Sequence, residues 1–236
     1  ATQSELLMGV MSVRFWGTGG SIPTPGRQTE KFGGNTTCVE VRYGDTIIVL
    51  DAGSGIREMS LAWLKEFGKT PVNATLLFTH YHWDHLQGFP FFTAAYMPNN
   101  KLDIYGDTPS GTNGLEDILS GQMQGAYFPV PLAAMQATMN FHPVEPEFQV
   151  GDIRIKTFGL PHPGGCIGYR LEVNHSVFVF ATDSEFDKVA LNPEDIEAEF
   201  TASRQYQPEL LEFLSGAHLL AVDCQYNDQE YQSKKG

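Results

Sequence analysis

The short apolar run NATLLFTH, which ends at His80 and continues through Tyr81 as HYHWDH, constrains this chain more than any other feature. The run is too brief for a helix and unbroken by charge, so it reads as a central strand buried on both faces. That strand carries His80 to its carboxyl end, with His82, Asp84 and His85 directly behind. Residues two apart on extended backbone point to one side, and a turn into a helix brings Asp84 and His85 round towards it. In a random shuffle of these residues, His-x-His-x-Asp-His would appear in about 3 of 10,000 chains. Imidazoles mixed with a carboxylate suit zinc, iron, manganese or nickel, and the carboxylate lowers the net charge of a site holding two divalent ions. The competing reading is a His-rich surface turn with incidental metal affinity, and the apolar strand leading in argues against it.

Around that strand the chain alternates β runs with a few helices. CVEVRY and TIIVLD, joined by the turn Gly44-Asp45, predict a hairpin whose second strand ends at Asp51. SGIREMSLAWLKEFGK places Ile56, Leu61, Leu64 and Phe67 at near-helical spacing and closes on a glycine, which predicts an amphipathic helix. Further strands are expected at SVRFWG, KLDIYG, DIRIKTFG, IGYRLEV, SVFVFATD and LLAVD, and helices at GLEDILSGQM and PELLEFLSG. Hairpins combined with crossovers favour an α/β layered sandwich over a doubly wound parallel sheet. The tract from Asp107 to Pro146, rich in Met, Gln, Pro and aromatics without a clean period, reads either as an irregular covering of the core or as a substrate-facing lid. Residues 1–10 read as a tail or expression remnant, and residues 11–236 as one domain. Trp16 and Trp83 are expected to pack, with base stacking as the alternative.

Charge limits the partners. Fifteen Lys and Arg against 28 Asp and Glu give a formal charge of −13, which repels phosphate backbones and anionic lipid. A small anionic substrate fits better than a long nucleic acid. No apolar stretch reaches the roughly 18 residues of a spanning helix, and the N-terminus lacks a basic start with a long apolar core, so the expected location is the cytoplasm, off the membrane. Cys38, Cys166 and Cys224 are odd in number and widely separated, which predicts buried free thiols, not a disulfide framework or zinc knuckle. The loop GTGGS lacks the Lys-Ser or Lys-Thr of a P-loop and reads as a tight turn beside the metal edge.

Two more residues have suitable context. His162, in the loop PHPGG, follows the strand DIRIKTFG, and Asp183, in FVFATDSE, ends another apolar strand. Alone, each is equally a bystander: a loop histidine, or a turn-forming or helix-capping aspartate. Taken in order, VRFWGTGGSIPTPG, GGNTTCVEV, LDAGSG, LFTHYHWDHLQGFPFF, PHPGG and ATDSE resemble the metallo-β-lactamase superfamily from about Ser12 onward. With Asp84 and His85 in the second metal site and no ligand cysteine, the chain is most similar to the ribonuclease Z-like and cyclic phosphodiesterase-like branch. The resemblance implies an αββα four-layer sandwich of two mixed β-sheets with outer helices and two divalent ions, zinc first among zinc, manganese, iron and nickel. It assigns His80, His82 and His162 to one ion, Asp84 and His85 to the other, and Asp183 as the bridge. Asp51 would stand behind the ligands and orient an imidazole, its plainer reading being a turn former before Ala52-Gly53.

Members of this branch carry a last histidine near the C-terminus. The present sequence reaches Gly236 without a match to it, and His218, inside a strand-like run, does not correspond. The expectation is a domain cut short there, with a second metal that is short of a ligand, weakly held, or completed by water or by a segment outside this sequence. Two divalent ions sharing a water or hydroxide would make a nucleophile at pH 7 and neutralise charge on a phosphoryl group, with Asp84 orienting or deprotonating the water. A phosphodiesterase acting on a small phosphodiester, such as a cyclic nucleotide or a related cyclic phosphate, is the leading expectation. Ester, thioester or lactone hydrolysis with the tract from Gln122 to Phe141 lining an apolar pocket is the second, and a metal-binding sensor without catalysis the third. Homodimers are common among such hydrolases, although no sequence stripe marks an interface.

Overall fold

The hairpin of Cys38–Tyr43 and Thr46–Leu50 forms where β-branched and apolar residues flank Gly44, whose φ of 55° supplies the left-handed turn that a side chain resists. In the computed structural model, residues 9–109, 111–199, 202–224, 229–230 and 233 are described, and residues 1–8 of the expected tail lie outside them. In chain order the elements are β1 (Ser12–Gly17), β2 (Cys38–Tyr43), β3 (Thr46–Leu50), α1 (Gly55–Phe67), β4 (Asn73–Leu77), α2 (Trp83–Leu86), β5 (Lys101–Gly106), α3 (Leu115–Gln122) and β6 (Thr138–Pro143). They continue as β7 (Glu147–Val150), β8 (Ile153–Leu160), β9 (Cys166–Val173), β10 (Ser176–Ala181), α4 (Pro193–Ala198), α5 (Pro208–Leu214) and β11 (Leu219–Val222). Two mixed β-sheets flanked by helices result, as expected for an α/β layered fold. The chain divides into two compact units between Ile155 and Lys156, inside β8.

In the first unit the sheet runs β1-β2-β3-β4-β5-β6, antiparallel through β3 and parallel from β3 to β6. The parallel pairing of β3 with β4 matters for chemistry, because it sends both strands' carboxyl ends to one edge. Leu50 lies opposite Leu77, and the Asp51 amide donates to the Leu77 carbonyl at 3.0 Å. Ala74, Leu76 and Phe78 join Val49, Ile56, Met59, Trp63, Phe89 and Phe92 in one apolar core.

Helix α1 departs from the expected stripe. Ile56, Met59 and Trp63 face the core, while Leu61 and Leu64 are each 38% exposed. Both stripes fit a helical period, and the choice between them is made by the surface available, namely β1 and the turns Phe89–Phe91 and Thr93–Tyr96. Full burial of each such side chain contributes about 1.5–3 kcal/mol. Gly68, with φ 56°, ends the helix by donating to the Leu64 carbonyl.

The tract 107–146 turns out to cover the core. Leu115, Leu119, Met123, Leu132 and Met135 are buried, and Thr138–Pro143 adds β6 to the sheet edge in parallel register with β5. The strand escaped sequence reasoning because TMNFHP carries neither apolar continuity nor clean alternation. Trp83 also differs from expectation: it is 61% exposed at the start of α2, whose Asp84, His85 and Leu86 take the inward positions. Trp16 packs against the core as expected, and donates its indole N–H to Glu40 Oε2 at 2.9 Å. Cys38 and Cys166 are buried as predicted and Cys224 is exposed. Burial, reinforced by the charges of Asp51 and Glu40, pushes the Cys38 thiol well up, so it stays protonated and inert.

The second sheet has the order β11-β10-β9-β8-β7, with β9 and β10 antiparallel and β10 and β11 parallel. In the second unit Leu160, Cys166, Val179, Ala181 and Phe213 form the apolar core. Arg170, nearly buried, donates to the carbonyls of Phe213 and Ser215 at the end of α5. Among the described residues no helix is long and apolar enough to cross a membrane.

Candidate metal centre

At the carboxyl edge of β3 and β4 the chain presents Asp51 on one side and Thr79, His80, His82, Asp84 and His85 on the other. Helix α2 is locked beneath them by backbone contacts: the Ala52 amide donates to the His85 carbonyl at 2.7 Å, and the Gly88 amide to the Ala52 carbonyl at 2.9 Å. Gly53 permits this approach. A Cβ there would collide with the Asp84 carbonyl, the Thr37 carbonyl and the Thr36 hydroxyl.

Asp51 is 2% exposed and has φ 60°, a left-handed conformation that aspartate tolerates better than most residues. Its carboxylate is an acceptor only, and it receives three donors. Oδ1 accepts the Thr79 amide at 2.8 Å, Oδ2 accepts the Thr79 hydroxyl at 2.9 Å, and Oδ2 accepts His85 Nδ1–H at 2.8 Å. Because Nδ1 of His85 carries the proton, Nε2 carries the lone pair. That nitrogen lies 3.6 Å from Asp84 Oδ2. Asp51 thus stands directly behind the His85 imidazole and holds it by Nδ1.

The first two histidines converge as well. His82 caps the N-terminus of α2 with extended backbone, His80 is buried, and His80 Nε2 stands 3.0 Å from His82 Nδ1. Two nitrogens on one tetrahedral zinc, each about 2.0–2.1 Å from it, lie about 3.3 Å apart, so this pair fits a shared cation closely. His80 and His85 rings are 4.2 Å apart between centroids. The donor set of imidazoles and carboxylate, with its buried acceptor behind, fits a divalent transition metal.

Asp84 is held by the Gly-rich loop. Ser21, with φ 66°, donates its backbone N–H to Asp84 Oδ2 at 2.7 Å, and Gly20 lies against the same oxygen. The loop is thus a tight turn set against the Asp84 carboxylate. Ser21→Gly should keep the contact and stay within ~1 kcal/mol of the parent in a denaturant titration, since glycine adopts positive φ freely. Ser21→Pro, which loses the N–H and cannot reach that φ, should release Asp84 and weaken zinc binding measurably.

The second unit carries the remaining two predicted residues. His162 lies in the loop after β8, where Gly165 donates to its carbonyl at 2.9 Å and Gly164 and Gly165 take positive φ. Asp183 follows β10 with φ 54°. Its turn is tied on both sides, by the Ser184 amide to Asp223 Oδ2 at 2.8 Å and by the Cys166 thiol to the Thr182 carbonyl at 3.5 Å. Since Cys166 opens β9 directly after the His162 loop, that thiol joins the two segments within the unit. Sequence reasoning missed Thr79, Ser21 and Asp223. Only Thr79 had a readable cue, a hydroxyl immediately before the first histidine.

A family model described as "Beta-lactamase superfamily domain" matches residues 46–235. This chain belongs to that superfamily. Among curated relatives of this beta-lactamase superfamily chain is a ribonuclease Z of Clostridium acetobutylicum, 25% identical over 170 residues, covering 70% of this chain and 50% of the relative. The chain therefore spans about half the length of the curated relatives it matches. Among solved structures, the metallo-beta-lactamase fold protein YhfI of Bacillus subtilis aligns at TM-score 0.59 and 18% identity, over 93% of this chain and 74% of that one. A diphosphatase from the PhnP family aligns at TM-score 0.57 and 14% identity, over 89% and 73%. At those identities the two structures speak to the fold, which they share with this superfamily member.

Proposed function

We propose that this chain is a metal-dependent phosphodiesterase acting on a small phosphodiester, cyclic or linear, at a centre of two divalent ions. The observation that carries the reading is the pairing of His80 Nε2 with His82 Nδ1 and of His85 Nε2 with Asp84, in front of a buried Asp51 carboxylate. In this proposal His80, His82 and His162 would hold one ion and Asp84 and His85 the other, with Asp183 as a ligand that both would share. His80, His82, His85, His162 and Asp183 each offer one donor atom, and zinc is the metal proposed for such a set.

With divalent ions held there, the site would gain a nucleophile at neutral pH and a counter-charge for the phosphoryl oxygens. The chain's own residues do the rest. Asp51 fixes His85, and Asp84, turned by the Ser21 amide, accepts a proton from the attacking water and sets its direction towards phosphorus. With a formal charge of −13, positive charge at the site comes from the ions, which favours a small anion over a long polyanion. The names of two similar proteins, a ribonuclease and a diphosphatase, both denote cleavage at phosphorus. The rival apolar pocket loses support because Met123, Leu132, Met135 and Ala137 of that tract are spent in the core.

Zinc-loaded protein should hydrolyse bis(p-nitrophenyl) phosphate, and a chelator should abolish the reaction until zinc is restored. Equal rates with and without chelator would overturn the metal-dependent reading. Zinc retention without phosphodiester hydrolysis would overturn the substrate class.

A further inference from the structure

Thr79 sits at a junction that the metal-ligand set does not account for. Its hydroxyl oxygen is 2.9 Å and 3.1 Å from the two oxygens of Asp51 and 3.0 Å from His80 Nδ1, all in a buried environment. The proton count admits one consistent arrangement. An ionised carboxylate only accepts, so the hydroxyl proton points to Asp51, and the hydroxyl oxygen is left to accept from His80. The proton therefore resides on His80 Nδ1, and the lone pair lies on Nε2, the atom that faces His82. His85, 3.4 Å from the same hydroxyl, places its own Nδ1 proton on the nearer Asp51 oxygen at 2.8 Å.

We propose that Thr79 is a positioning residue that relays the Asp51 carboxylate to His80, so that one buried anion sets the tautomer and ring orientation of two imidazoles. His85 is held directly and His80 through the hydroxyl. Both rings then present Nε2 outward at fixed angles before a cation arrives, which removes the entropy of choosing between tautomers and rotamers on binding. The inference rests on the metal-binding part of the proposed function and adds a residue to it. The backbone contributes separately, since the Thr79 amide holds Asp51 Oδ1 at 2.8 Å whatever the side chain. Replacing the hydroxyl alone thus isolates the relay.

Thr79→Val keeps the volume and branching and deletes the hydroxyl, while Thr79→Ser restores it. Nitrogen-15 NMR of the imidazoles in metal-free protein should show His80 as the Nδ1–H tautomer in the parent and in Thr79→Ser, and a mixture in Thr79→Val. Zinc affinity, measured by competition with a chromophoric chelator, should fall about 10–100-fold in Thr79→Val and stay within a few-fold of the parent in Thr79→Ser. A Thr79→Val protein with unchanged His80 tautomer and unchanged zinc affinity would overturn the relay. So would a Thr79→Ser protein that loses as much affinity as Thr79→Val, since packing would then be the cause. If the parent hydrolyses no phosphodiester while the tautomer and zinc results hold, the substrate reading fails and the relay stands.

Discussion

Asp51→Ala should lose about 3–5 kcal/mol of folding stability and, in whatever protein remains folded, about 10–100-fold in zinc affinity. The size follows from what the carboxylate does. It accepts the Thr79 amide, the Thr79 hydroxyl and His85 Nδ1–H in a site 2% exposed. Each charge-assisted bond contributes roughly 1.5–3 kcal/mol, and each buried donor left without a partner costs about 1–3 kcal/mol. These overlap, so the sum is not reached, and relief of the buried charge offsets part of it. Alanine also meets a φ of 60°, which costs on the order of 1 kcal/mol. Asp51→Asn should fall between, because asparagine tolerates the left-handed backbone and keeps one acceptor, yet directs an amide N–H₂ at a cluster of donors. Urea denaturation paired with chelator competition measures both losses. An Asp51→Ala protein as stable and as zinc-avid as the parent would show that the carboxylate is a turn former and nothing more.

Asp84→Asn should reduce phosphodiester turnover by about 10²–10⁴-fold while leaving the fold intact. Asparagine preserves the shape and keeps an oxygen for the Ser21 amide, which now reaches Asp84 Oδ2 at 2.7 Å. What disappears is the negative charge that, in the proposed mechanism, takes a proton and balances a second cation beside His85 Nε2. Single-turnover hydrolysis alongside metal stoichiometry separates the two losses: one ion retained with slow chemistry points to the second site, two ions with slow chemistry to the proton. Wild-type turnover in Asp84→Asn would remove Asp84 from the proposed mechanism.

The candidate centre was unevenly legible. HYHWDH announced itself, because the residue types are rare and an apolar strand leads into them, although that strand ends at Leu77, three residues before His80. The β2–β3 hairpin, β4, β5 and the strands β8 to β11 were readable for the same local reason, an apolar run with turn residues at its ends. By contrast, β6 is a strand because β5 offers it an unpaired edge, and no residue in TMNFHP says so. Which stripe of α1 faces inward was settled by the surface it meets, leaving Leu61 and Leu64 outside and Trp63 within. The exposure of Trp83 has a similar origin, since Asp84, His85 and Leu86 claim the buried face of a one-turn helix.

Sequence alone therefore determined the chemistry available at the β4 edge: the number and type of donor groups, their close spacing along the chain, and the net negative charge around them. Tertiary structure decided what those donors are ready to do. Only the parallel pairing of β3 with β4 brings Asp51 under Thr79 and His85, 28 and 34 residues along the chain, and only the left-handed turn at Ser21 carries an amide to Asp84 across 63. Hydrogen-bond acceptors that fix a tautomer act over 3 Å, a distance that spacing along a chain does not encode and that a register between strands does.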